Sequence, residues 1–100
     1  MNIKESLGLA LKKARIAKKV TQEDFSDISS RTYVSTLERG LYTPTVEKVD
    51  ALAKVIGVHP LTILSLAYLI SEETTDVSAL LNLVNSELKE LISLIDNYKN

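Results

Sequence analysis

One stretch of twenty residues, Thr21 to Gly40, limits the folds open to this chain more than any other feature. Thr21 is a helix N-cap, and Asp24 stands where a side chain reaches back to complete a weak capping box. Val20 before the cap and Phe25 after it form a hydrophobic staple. Gly40 supplies the residue that ends a helix. Between these signals Phe25, Ile28, Val34 and Leu37 can turn inward, which leaves Gln22, Ser30, Arg31, Thr32, Ser35, Thr36 and Arg39 outside. The pattern predicts two short helices joined by a tight polar turn, with an outer face of groups that hydrogen-bond phosphates and base edges.

The rest of the chain predicts further helices. Leu7, Ala10, Leu11 and Ala14 share one face of a helix over residues 5–18, with Lys12, Lys13 and Lys19 mostly off it. Lys18 and Lys19 close its last turn, where cations suit the negative end of the helix dipole. After the loop Leu41-Tyr42-Thr43-Pro44, either Thr43 or Thr45 starts a helix, with Pro44 tolerated in a first turn. Its inner face holds Val46, Val49, Leu52, Ala53 and Ile56, and Gly57 stops it. His59 beside Pro60 reads as the cap of the next helix, Leu61 to about Ile70, which is apolar almost all round and must be covered on more than one side.

Ser71 to Asp76 is a polar break short enough to be a turn. Beyond it Val77, Leu81, Val84, Leu88, Leu91, Ile95 and Tyr98 alternate at spacings of four and three, the signature of a heptad seam. Leu80, Leu83, Ile92 and Leu94 widen that stripe. The expected element is a helix of about 20 residues, short for an isolated coil. It packs both on its counterpart in a homodimer, parallel or antiparallel, and on the preceding helix, or else it closes the monomer's own core.

Composition narrows the chemistry. One hundred residues, 45% hydrophobic with five aromatics, suit one small helical domain with an appended element. With no cysteine and one histidine, thiol chemistry, disulfides and most metal sites are excluded, and neither metal nor cofactor is expected. Neither a signal-peptide core nor a membrane-length apolar run is visible, so a cytoplasmic protein without membrane partners is expected. A nucleophile and base pair or a Gly-rich phosphate loop is also absent, which argues against an enzyme. The net charge of −1 is unevenly spread: residues 1–40 carry eight Lys/Arg against five acids, residues 59–100 two lysines against six acids. A chain polarised in this way can turn one positive face to phosphate.

The central stretch resembles the helix-turn-helix of the phage repressor, Cro and XRE family, whose pattern runs Thr-Gln-x-x-Leu-Ala, a turn, then Ser-x-x-Tyr-Ile-Ser-x-Ile-Glu-x-Gly. Thr21-Gln22, Ser30, Tyr33-Val34-Ser35 and Leu37-Glu38-Arg39-Gly40 carry the match. The segment between Gln22 and Tyr33 is two residues shorter than usual, and Ile28-Ser29 replaces a Gly-Val, so the first helix must end sooner or the turn must tighten. The resemblance implies an all-α fold: a five-helix lambda-repressor-like domain over residues 1–70, plus a C-terminal dimerisation helix within residues 71–100. It also implies a structural ion pair between Arg15 and Glu38.

For double-stranded DNA, the resemblance implies base readout by Arg31, Thr32, Ser35 and Thr36 from the helix that enters the major groove. Lys18, Lys19, Gln22, Ser30, Tyr33, Arg39 and Thr43 become candidates for the DNA backbone, Tyr33 being equally a core or rim residue. Where the family often carries a cation after the glycine, Leu41 and Tyr42 stand. The expected function is a homodimeric regulator, a repressor of a near-palindromic operator, dimerised through Val77, Leu80, Leu81, Val84, Leu88, Leu91, Ile95 and Tyr98. The alternative is a protein-binding module of the same fold, an antitoxin or adaptor that grips a protein partner with its C-terminal helix.

Overall fold

A computed structural model describes the backbone of residues 1–99 and the side chains of residues 1–95. Five α-helices are joined by one 3-10 turn, and no strand occurs among the described residues: α1 Ile3–Ala17, the turn Gln22–Phe25, α2 Arg31–Glu38, α3 Val46–Ile56, α4 Pro60–Ser71 and α5 Val77–Lys99. The expected all-α class is observed. Tyr98, placed on the seam by its spacing, lies outside the described side chains.

Local capping chemistry sets the element boundaries. The side chains of Asn2, Thr21, Ser30, Thr45 and His59 each accept a backbone N–H at the start of α1, the 3-10 turn, α2, α3 and α4. Thr21 is the reciprocal box: Asp24 N–H donates to its Oγ1 at 3.2 Å, and its own N–H donates to Asp24 Oδ2 at 2.7 Å. The cap of α3 is Thr45, so Pro44 stands before the cap and not in the first turn. α1, α2 and α4 end alike. Each has a left-handed residue after its last turn, Lys19 (φ 59°), Gly40 (φ 73°) and Glu73 (φ 56°), followed by an N–H that folds back five residues.

Two of these three left-handed positions carry side chains that oppose the conformation. Lys19→Gly should therefore raise stability by about 1 kcal/mol and the melting temperature by roughly 4–8 °C. Thermal unfolding checks it; an unchanged or lower midpoint would count against the strain argument.

The core lies where α1, α2, α3 and α4 converge. Phe25, Leu37, Leu52 and Ile63 are its largest fully enclosed side chains, backed by Leu7, Leu11, Val34 and Ile56. α4 is the most widely shared element, lying along α1 and also against α3 and the start of α5. That explains its apolar circumference, although Leu61 and Tyr68 stay 59% and 50% exposed.

Two further expectations need correction. The first helix of the central pair is a single 3-10 turn. Closing two residues early, the chain has no length for a second turn. Ile28 and Ser29 both donate backbone N–H groups to Phe25 O at 2.9 Å, and Ile28 packs half-buried on the core. Val46, expected on the inner face of α3, is 80% exposed. As the first residue of the helix its side chain leans past the helix end, so the buried stripe begins at Val49.

Candidate nucleic-acid interface

α2 is held from three sides. Its inner face buries Val34 and Leu37. Its C-terminal end is gripped by an ion pair in which Arg15 Nε donates to Glu38 Oε2 at 2.6 Å and Nη2 to Oε1 at 2.9 Å. Arg15 Nη1 also donates to Val20 O at 3.0 Å, and Gln22 Nε2 donates to Glu38 Oε1 at 3.1 Å. One guanidinium thus ties α1, the entry to the 3-10 turn and α2 together. The hydrogen bond to Glu38 raises the Arg15 pKa above the ordinary guanidinium range; burial opposes the shift and the carboxylate's charge adds to it. A group raised in this way keeps its full stabilising contribution below its unfolded value and loses it only above the raised one, so Arg15 keeps its charge through any working pH.

The third support comes from α3. Lys48 Nζ donates to Ile28 O at 2.8 Å and lies 5.5 Å from the centre of the Tyr33 ring. The lysine satisfies the carbonyl freed by the shortened turn and adds a cation–π contact at the start of α2. Tyr33 is half-buried against the core.

The face of α2 opposite Val34 and Leu37 is open. Arg31, Thr32 and Arg39 are exposed, and Ser35 and Thr36 are half-exposed. Residues 32, 35, 36 and 39 share a side at helical spacings of three and four. Thr36 Oγ1 donates to Thr32 O at 2.7 Å, so toward a ligand it offers lone pairs and a methyl group. Such a group suits the amino edge of adenine or cytosine, or the thymine methyl. Arg39 Nε is aimed at Ser35 O at 3.4 Å, which leaves its outer nitrogens toward solvent. Among the described residues neither Arg31 nor Arg39 is paired with a carboxylate.

The remaining expected contacts are spread around this helix. Arg31 borders an open polar depression with Arg15, Thr21, Gln22 and Glu23. Gln22, expected against phosphate, spends one amide hydrogen on Glu38. Ser30 Oγ is occupied as the cap, accepting from Tyr33 N–H at 3.1 Å. Lys18 and Lys19 are exposed in the turn that ends α1, and Thr43 is exposed in the loop before α3. Leu41 and Tyr42, in that same loop, are 54% and 61% exposed.

Two positioning residues escape a reading of the sequence. Gly8 lies where α1 crosses the end of α2, and a Cβ there would sit 2.3 Å from Leu37 O. Its only sequence signal is a glycine inside a helical pattern. Lys48 gives none beyond an ordinary surface lysine.

A helix-turn-helix family model matches residues 11–63, from mid-α1 into α4. The chain belongs to this helix-turn-helix family, of the XRE type. No curated protein and no solved structure matched the chain. As a helix-turn-helix protein it is a DNA-binding regulator. The matched span contains every residue of α2 and its clamp, and stops before α5. Among the described residues no helix is by itself long and apolar enough to cross a membrane, and no cluster of acidic or histidine side chains could hold a metal ion.

Proposed function

We propose that this helix-turn-helix protein is a repressor that binds a near-palindromic operator as a homodimer. Residues 1–70 form the DNA-binding domain and residues 71–100 the dimerisation element. α2 enters the major groove with Arg31, Thr32, Ser35 and Thr36 at the base edges. Lys18, Lys19, Gln22, Ser30, Tyr33, Arg39 and Thr43 grip the sugar-phosphate backbone. The observation that carries this reading is the clamped α2, rigid on one side and polar and open on the other. A site of this kind needs its readers fixed by packing before the ligand arrives.

One such domain covers too few base pairs for specific binding at physiological salt, and a two-fold pair supplies the second half-site. The exposed apolar stripe of α5 supports pairing. So does the charge distribution, basic in residues 1–40 and acidic in residues 59–100. Repression follows by occlusion of polymerase, and the place of work is the cytoplasm, where the operator is.

Selection of bound DNA from a random pool tests the whole reading, with a recovered palindrome as the expected result. Arg31→Ala should then weaken binding to the selected site by roughly 1–3 kcal/mol while sparing unrelated sequence, since a bidentate arginine reads guanine O6 and N7. Equal loss on every sequence would reassign Arg31 to phosphate. In a second reading the same uncovered stripe, with exposed Leu41 and Tyr42, binds another protein, as an antitoxin or adaptor does. A monomer in isolation that co-purifies with one defined partner from native cells would favour it.

A further inference from the structure

The start of α5 leans on α4 and leaves an apolar groove of about 500 Å³ between them, lined by His59, Leu61, Ser65, Leu69, Val77 and Leu81. Beyond Leu80, every described residue of α5 is exposed. Nine large apolar side chains of this helix, from Val77 to Ile95, are between 38% and 61% exposed. At roughly 100 Å² each they present on the order of 900 Å², against the ~800 Å² per partner that a standard stable interface buries. The chain's own α5 runs on as one helix from Val77 and cannot turn back to fill the groove.

We propose that the groove receives the second half of α5 from a second copy running in the opposite direction, so that the dimer core is a four-helix arrangement of two α4 and two α5. This rests on the homodimer reading above and adds its direction and its seat. The width of the stripe decides the direction. Leu88, Leu91 and Ile95 follow the seam, but Ile92 and Leu94 lie beside it and are 53% and 61% exposed. A parallel partner offers the second half of α5 only its own counterpart, whose seam covers the heptad positions and leaves the flanks in water. An antiparallel partner offers it two helices at once, the first half of the other α5 and the α4 beside it. A stripe this wide needs both. The same arrangement puts the two DNA-binding domains at opposite ends of a helix pair roughly 35 Å long, the scale of one duplex turn.

The chain has no cysteine, so single cysteines can be placed freely in the intact chain. Nitroxide labels on Lys89→Cys and, separately, Asn82→Cys lie off the seam and report distances between the two copies. Antiparallel helices bring the labels at 89 level with one another and set those at 82 about 20 Å apart along the axis. Equal distances at both positions mean a parallel pair and overturn this inference while leaving the dimer intact. Sedimentation as a monomer at the same concentration overturns both. Leu61→Asp tests the seat, because an acid in the first turn suits the helix and spoils only the groove. It should raise the dimer dissociation constant at least tenfold without lowering the melting temperature of the DNA-binding domain, and an unchanged constant means that the groove is not occupied.

Discussion

Glu38→Gln should cost roughly 3–5 kcal/mol of folding free energy, the largest loss expected from any single polar change in this protein. The two side chains of the Arg15–Glu38 pair are only 12% and 5% exposed, so water cannot replace a lost partner. A neutral amide leaves the guanidinium charged and poorly compensated, and Gln22 faces another amide in place of a carboxylate. For a domain of this size the loss is a large share of the 5–15 kcal/mol typical of whole proteins. Urea unfolding of Glu38→Gln, Arg15→Met and the double variant Arg15→Met/Glu38→Leu measures it. The double variant should recover most of the loss, since two well-packed apolar residues carry no stranded charge. A single-variant cost below about 1 kcal/mol, the range of an exposed pair, would show that the clamp is solvated and not structural.

Gly8→Ala is expected to destabilise by roughly 1–3 kcal/mol or more, although helix propensity alone favours alanine by about 1 kcal/mol. The added Cβ would lie 2.3 Å from Leu37 O, 3.0 Å from Gly40 N and 3.1 Å from Glu38 O. These are backbone atoms at the C-terminal end of α2 and cannot swing aside as a side chain would. α1 must back away, and the retreat also pulls Arg15 off Glu38. DNA affinity should fall together with the melting temperature, because the helix proposed to read DNA loses its backstop. A stabilised Gly8→Ala variant would mean that α1 and α2 do not approach as closely as this geometry has them.

How much of this was legible beforehand depends on the range of the interaction. Thr21, Thr45, His59, Gly40 and Gly57 announce helix ends because a cap acts on a backbone group two to four residues away. Leu7, Leu11, Val49, Leu52 and Ile56 announce the core because burial follows the turn of the helix. Val46 shows the limit of that rule: periodicity assigns a face but not whether a neighbour reaches the helix end. The shortened Gln22–Tyr33 segment signalled a cut, but its outcome, one 3-10 turn braced by Lys48 from α3, depends on a contact across twenty residues.

The sequence alone therefore determined the class of fold, the position of the polar-faced helix α2 and the existence of an apolar stripe at the end of the chain. Each is written in spacings of three, four or seven residues that a single helix expresses by itself. Only the tertiary structure decided that Gly8 is where two helices touch and that Gln22 is shared with Glu38. Those facts depend on where separate elements cross and on which partner a polar group finds once they do, and no local spacing encodes either.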